Sequence, residues 1–184
     1  MLVLASASPR RREILARFIE DFEVVPSRAS EECHLRDPED YAVELARRKA
    51  REVYNRVGGT VIGADTVVSI NGHILGKPKS KEHAFRMLKM LSGRVHLVTT
   101  GYCIIHRGKE HCGAAVTEVK FRELDDGLIR EYIRTGEPMD KAGAYGIQGK
   151  AGIFVEWIKG DYYNVVGFPL EIVWKLRELG FRVM

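Results

Sequence analysis

The N-terminal stretch reads Leu2-Val3-Leu4-Ala5-Ser6-Ala7-Ser8-Pro9-Arg10-Arg11-Arg12 and predicts a short buried strand followed at once by a helix. Ser8 is a favourable N-cap, and Pro9 suits the first helical position, where a missing N–H loses no hydrogen bond. Apolar residues then recur at helical spacing, which continues the helix. These residues are Ile14, Leu15, Phe18 and Ile19.

The first turn of this helix carries three arginines, Arg10–Arg12, where the free N–H groups favour acidic residues. Each arginine there opposes the helix dipole by roughly 0.3–1 kcal/mol. A bound anion would remove the conflict, because N–H groups, the hydroxyls of Ser6 and Ser8, and guanidinium groups all donate to phosphate oxygens. The alternative is three solvated arginines on a surface helix. The sequence favours the phosphate site.

Size and composition are those of a globular protein with a substantial core. The chain has 184 residues, of which 45% are hydrophobic and 29% are charged, as is typical of a soluble domain. No apolar run reaches the roughly 18 residues that a membrane span needs, and no signal peptide is recognisable. We therefore expect no membrane partner. The three cysteines, Cys33, Cys103 and Cys112, show no close pairing, which fits free thiols in a reducing cytoplasm better than a disulfide framework. The expected location is therefore cytoplasmic.

The charge balance also limits the ligands. A formal net charge of +4 suits a polyanionic ligand. It is too small, and the basic run Arg10–Arg12 is too short, for a protein that holds nucleic acid through many phosphate contacts. A stable nucleic-acid complex is not expected.

Strand and helix patterns alternate irregularly, and some strands are joined by hairpins. Asn71-Gly72 is a hairpin signal directly after the strand 60–70. The predicted fold class is therefore mixed α/β, with a sheet that is not purely parallel and with flanking helices. Strands 152–158 and 161–166 predict a second hairpin, and a helix begins at Pro169. In that helix Leu170, Val173, Trp174 and Leu176 are expected to face the core. The other predicted strands are 22–25, 73–75, 95–106 and 112–121. The other predicted helices are 38–55, 81–91 and 126–135.

Two charged residues interrupt apolar patterns. Lys49 lies in the apolar stripe of the helix 38–55, either with its stem over the core and its head in solvent or as an ammonium aimed into a polar cleft. Asp65 interrupts the strand 60–70, where a carboxylate is unfavourable unless it is paired, hydrogen-bonded or bound to a metal. The alternative for Asp65 is a carboxylate that caps a turn at a strand end. Lys77, after the hairpin, brings a further cation near Asp65.

These outliers have complementary chemistry. The arginines and lysines can neutralise a polyphosphate. Asp65 and Glu32, from the adjacent pair Glu31-Glu32, supply the hard oxygen ligands that Mg²⁺ or Mn²⁺ prefers. No nucleophile for covalent catalysis is apparent, whereas metal-assisted attack by water on a phosphate needs none. A loop rich in glycine, between Asp140 and Gly152, predicts a backbone that another group approaches closely.

Several motifs stand in order along the chain: Ser6-Ala7-Ser8-Pro9-Arg10-Arg11, Gly63-Ala64-Asp65-Thr66, Gly76-Lys77-Pro78, Leu91-Ser92-Gly93, Asp140-Lys141-Ala142-Gly143-Ala144-Tyr145-Gly146-Ile147-Gln148-Gly149 and Val166-Gly167-Phe168-Pro169. Together they resemble the Maf family of nucleoside triphosphate pyrophosphatases, also called septum-formation-inhibitor proteins. The resemblance covers essentially the whole chain. It implies one elongated Maf-like domain over residues 1–184, with a cleft between two lobes, which is often a homodimer.

The resemblance also implies an activity, namely hydrolysis of a nucleoside triphosphate to the monophosphate and pyrophosphate with a divalent metal, Mg²⁺ or Mn²⁺. Asp65 would be the general base or a metal-anchoring carboxylate, and Glu32 would join it at the metal. The phosphates would be bound by Arg10, Arg11, Lys49 and Lys77. This favours the interpretation of Lys49 as an ammonium aimed into a polar cleft.

Three positions divide the family by substrate. The branch that resembles dTTP/UTP pyrophosphatases has Arg, Thr and Gln there, whereas Trp, Gln and Glu mark a branch that prefers 7-methyl-GTP. This chain has Arg10, Thr66 and Gln148 and so resembles the dTTP/UTP branch. Gln148 can both donate and accept, as the O4 and N3–H edge of a pyrimidine requires. Two alternatives stay open: a nucleotide- or nucleic-acid-binding regulator of cell division, and a pyrophosphatase for modified nucleotides.

Overall fold

A computed structural model describes residues 1–184 and contains a seven-stranded sheet with helices on both faces. The strands are β1 (Leu2–Leu4), β2 (Glu23–Val24), β3 (Thr60–Ile70), β4 (His73–Leu75), β5 (Val95–His106), β6 (Lys109–Phe121) and β7 (Val155–Lys159), and the helices are α1 (Pro9–Ala16), α2 (Pro38–Val57), α3 (Lys81–Leu91), α4 (Asp126–Arg134), α5 (Tyr162–Val166) and α6 (Leu170–Glu178). β1 is parallel to β2 and β3, and the other pairs are antiparallel. The mixed α/β fold predicted from the sequence is confirmed. None of the helices combines the length and apolar character that crossing a bilayer requires.

Helix α2 lies directly against β3 and β5 on one face of the sheet. Its small residues Ala42, Ala46 and Ala50 have no exposed surface and recur every four residues, as they must to share one face of the helix. Below them the strands carry Gly63 and Gly101. A Cβ added to these glycines would lie 2.2 Å and 2.3 Å, respectively, from backbone atoms of α2. Glycine is therefore required wherever the helix backbone crosses the sheet this closely.

The opposite face carries two separate groups of helices. α1, α5 and α6 pack around Ile62 of β3, whereas α3 and α4 pack around Val68 of the same strand. Thr66 lies on the same face between the two, because side chains alternate along a strand. The two helical groups therefore leave a space above the middle of β3.

The same part of β3 has a free edge. β1 pairs with residues 60–62, and β4 pairs with residues 68–70. Residues 63–67 therefore have no strand neighbour on that side. Asp65 and Thr66 lie in this gap and point to opposite faces of the sheet. Side chains from both faces of the sheet can therefore contribute to a site at this edge.

The segment after the glycine-rich loop differs from the prediction. The strand predicted at 161–166 is helix α5, so the second hairpin is wrong. Asp161 caps α5 by accepting a hydrogen bond from Tyr163 N at 2.8 Å. A short apolar run does not by itself distinguish a buried strand from a buried helix. In α6 the prediction for Trp174 is also wrong, because this residue is 60% exposed and Ile172 is buried in the core.

The expectation of three free thiols is wrong as well. Cys103 and Cys112 are opposite each other in the β5–β6 pairing and form a disulfide. Cys33 is free. The pairing depends on the register of this hairpin, in which β6 begins at Lys109 rather than at Cys112 as predicted.

Candidate active site

A cleft of about 460 Å³ lies where the free edge of β3 meets the start of α1 and the glycine-rich loop. It is lined by every site residue predicted from the sequence except Glu32. These residues are Ser6, Ser8, Arg10, Arg11, Lys49, Asp65, Thr66, Lys77 and Gln148. The fold thus gathers side chains that are far apart in the sequence.

Lys49 and Asp65 form an ion pair on the wall of the cleft. Lys49 Nζ lies 2.9 Å from Asp65 Oδ1 and 3.1 Å from Glu31 Oε1. The side chains of Lys49 and Asp65 are each only 14% exposed. Helix α2 brings Lys49 to this place because Ala50, the next residue, packs against β3. The ammonium therefore points into the cleft rather than out to solvent.

In the loop before α2, the adjacent residues Glu31 and Glu32 point in different directions, one to the cleft and one to solvent. Glu31 lines the cleft, and the ammonium of Lys49 holds the pKa of its carboxyl below the usual value. Glu32 does not reach the cleft: its side chain is 80% exposed, and its Oε1 lies 3.8 Å from Nε2 of His34. Glu31 therefore lies beside Lys49, and Glu32 does not. The sequence alone gives no sign of which of two adjacent glutamates in a loop turns inward.

The loop that carries Glu31 is tied to α2 by Arg48. Arg48 Nη1 donates to the carbonyl oxygens on both sides of Glu31, those of Ser30 and Glu32. Arg48 Nε donates to Glu44 Oε1 at 3.0 Å, which fixes the guanidinium on the helix. The side chain of Glu31 is therefore presented from a restrained backbone. The role of Arg48 was not predicted from the sequence, because α2 contains several arginines and nothing in the sequence distinguishes this one from the others.

Arg11 lines the cleft and is held there by three acceptors. Its Nε donates to Gly167 O at 2.8 Å, its Nη2 to Thr66 Oγ1 at 3.0 Å and its Nη1 to Ser6 Oγ at 3.3 Å. Burial lowers the pKa of the guanidinium, but arginine remains charged in proteins. Ser8 caps α1 as predicted, accepting from Arg11 N at 3.4 Å. Arg11 is therefore a fixed positive charge and not a solvated surface arginine.

The glycine-rich loop forms the other side of the cleft. Lys141 lines the cleft, and its Nζ lies 2.9 Å from Oδ1 of Asp140. Tyr145 also contributes to the lining, and its hydroxyl lies 2.7 Å from Nε2 of His96. Burial lowers the pKa of His96 to about 4, so this imidazole is neutral at neutral pH. Sequence reasoning assigned Gln148 here but not Lys141 or Tyr145, although all three belong to one quoted motif.

Asp65 and Glu31 form a donor set that fits a hard divalent cation. Each carboxylate uses one oxygen for Lys49, and the hydrogen bond of Asp65 involves Oδ1 alone. Oδ2 of Asp65 is therefore available, and carboxylate oxygens are the ligands that Mg²⁺ and Mn²⁺ prefer. Another grouping of metal-type ligands, Cys103, Glu110 and Cys112, contains both disulfide cysteines and lies outside the cleft.

Cations and the carboxylates of Asp65 and Glu31 in one cleft of a mixed α/β fold are the groups that a protein acting on phosphates uses. The chain belongs to the Maf-like protein family, whose profile matches residues 1–178. It is 83% identical over 184 residues to a dTTP/UTP pyrophosphatase of Thermococcus onnurineus, with 100% of both chains covered. It is 55% identical to the dTTP/UTP pyrophosphatase of Pyrococcus horikoshii, over 99% of this chain and 98% of the relative. For that of Clostridium tetani the identity is 49%, over 97% of each chain.

Proposed function

We propose that this protein is a nucleoside triphosphate pyrophosphatase that hydrolyses dTTP and UTP to the nucleoside monophosphate and pyrophosphate. The observation that carries the proposal is the ion-paired group of Asp65, Lys49 and Glu31 in one cleft with Arg11. Such a site joins anion binding to a carboxylate that can act on water, which a simple binding site does not need. The names of the relatives support the same activity.

The residues divide into those that hold phosphates and those that act on water. Arg10, Arg11 and Lys77 would bind phosphate oxygens through charge-assisted hydrogen bonds. Asp65 would serve through Oδ2 either as the general base for the attacking water or as a ligand of the cation, while Lys49 holds Oδ1 and so fixes the carboxylate. No covalent intermediate on the protein is required.

A divalent cation, Mg²⁺ or Mn²⁺, would be held by Asp65 and Glu31, and when bound it would neutralise charge on the phosphates. The sequence placed Glu32 in this role. The position of Glu31 beside Lys49 supports Glu31 instead. Lys49 keeps the two carboxylates close together before any cation binds.

Base selection would involve Gln148 and Arg10, both of which line the cleft. Gln148 offers a donor and an acceptor to the pyrimidine edge. The hydroxyl of Thr66 is already bonded to Arg11 and Thr100. Thr66 would therefore influence the substrate through Arg11 rather than by reading the base.

The test is pyrophosphate release from dTTP, UTP, CTP, dATP, GTP, 7-methyl-GTP and 5-methyl-UTP, measured with Mg²⁺, with Mn²⁺ and with a chelator. We expect metal-dependent turnover that is highest on dTTP and UTP. Turnover that peaks on 5-methyl-UTP would indicate a role on modified nucleotides. No turnover on any substrate would contradict the proposal and favour a binding protein. A cytoplasmic location, a two-lobed domain and a homodimer remain predictions.

The proposed role of Glu31 as a metal ligand can be tested by comparing the same substitution at Glu31 and at Glu32. Glu31→Gln is expected to raise the Mg²⁺ concentration needed for half-maximal activity by about tenfold or more, because a charged oxygen ligand is lost. Glu32→Gln removes the same charge one residue away and serves as the matched control, with a change within about twofold. The measurement is initial rate against Mg²⁺ concentration at saturating dTTP. A larger effect of Glu32→Gln would return the role to Glu32.

A further inference from the structure

Thr100 lies in the middle of β5 with no exposed surface, below the cleft rather than in its lining. Its Oγ1 lies 2.8 Å from Thr66 Oγ1 and 3.2 Å from the carbonyl oxygen of Asn164. Thr66 Oγ1 in turn lies 3.0 Å from Arg11 Nη2. A continuous line of hydrogen bonds therefore runs from Arg11 to Asn164.

The direction of each hydrogen bond in this line is determined. The carbonyl of Asn164 can only accept, so the hydroxyl of Thr100 donates to it. Thr100 must then accept from the hydroxyl of Thr66, and Thr66 accepts from the guanidinium of Arg11. All donors point the same way, an arrangement in which each hydrogen bond polarises the next.

The far end of the line is anchored. Asn164 has no exposed surface, and its Nδ2 lies within 2.9 to 3.1 Å of three acceptors on β5 and β6, between which its two hydrogens are shared. The chain just after α5 also supplies Gly167 O, which accepts directly from Arg11 Nε at 2.8 Å. One segment, fixed on two strands, thus holds the guanidinium both directly and through two hydroxyls.

We propose that Thr100 is a positioning residue for triphosphate binding, which fixes the hydroxyl of Thr66 and through it aims the guanidinium of Arg11 at the phosphates. The proposal rests on the proposed function for the identity of the ligand. Thr100 does not touch the substrate. Without the hydroxyl of Thr100, the hydroxyl of Thr66 loses its acceptor and is free to rotate. The guanidinium of Arg11 then loses a partner in a defined position.

Thr100→Val removes the hydroxyl and keeps the shape of the side chain. We expect the KM for dTTP to rise about tenfold, with a smaller change in kcat, and the affinity for pyrophosphate measured by calorimetry to fall by a similar factor. Thr100→Ser restores the hydroxyl and should restore both values. Thr99→Val, on the opposite face of the same strand, is the matched control and should leave both unchanged.

A double-mutant cycle with Arg11→Met separates positioning from a structural role. If Thr100 acts through Arg11, Thr100→Val has no further effect on pyrophosphate affinity once Arg11 is replaced. An equal loss in both backgrounds, or an unchanged affinity in Thr100→Val, would overturn the proposal. Thr100→Ala, which also removes the hydroxyl, takes the place of Thr100→Val in the same cycle if the latter does not fold. Wild-type protein that binds pyrophosphate but hydrolyses no nucleotide would contradict the proposed function and leave this test intact.

Discussion

Asp65→Asn is expected to lower kcat for pyrophosphate release from dTTP by about 10³-fold, within the range that a lost general base produces. The amide has the shape of the carboxylate, and its oxygen can still accept from Lys49, which donates to Oδ1 at 2.9 Å. It cannot take a proton from water, and it is a poor ligand for a hard cation. The measurement is kcat under saturating dTTP and Mg²⁺.

The control for this substitution is Asp126→Asn. Asp126 pairs with Lys89 on the surface, its side chain is 62% exposed, and it does not line the cleft. Its replacement should leave kcat within about twofold, since an exposed pair contributes little. The thermal unfolding midpoint of Asp65→Asn shows whether the fold is retained. Full activity in a folded Asp65→Asn protein would end the catalytic assignment of Asp65.

The sequence was sufficient to identify site residues whose charge is out of place in the local pattern. Lys49 and Asp65 were identified because each places a charge inside an apolar pattern, and the structure shows that each satisfies the other. The arginines at the start of α1 stood out because they oppose the helix dipole. Arg11 lies in the cleft and makes hydrogen bonds that a solvated arginine would not have.

Tertiary contacts decided what the sequence left undetermined. The choice between Glu31 and Glu32 depends on Arg48, which is distant in the sequence and holds the loop backbone from α2. The helical state of α5 depends on its packing beside β5 and β6 and on a cap by Asp161. Thr100 carried no signal, because a threonine in a strand is ordinary.

Gly63→Ala is expected to reduce the free energy of unfolding by about 3 kcal/mol or more, which is the upper range for overpacking. The added Cβ would lie 2.2 Å from Ala46 O and 2.8 Å from Ala50 N, and both are backbone atoms of α2. A helix backbone cannot rotate out of the way as a side chain can, so the whole helix must shift. The measurement is chemical denaturation, with a thermal midpoint lowered by roughly 6–12 °C for a chain of this size.

The control is Gly76→Ala, where an added Cβ meets no atom within 4 Å and φ is not in the left-handed region. Its stability should be unchanged or slightly raised, because alanine restricts the unfolded chain. Gly63→Ala should also lower kcat, because a shift of α2 carries Lys49 away from Asp65 and Glu31. Unchanged stability in Gly63→Ala would show that α2 can move without loss of packing. A lowered stability with unchanged kcat would show instead that the contact of Lys49 with Asp65 does not depend on how closely α2 packs against β3.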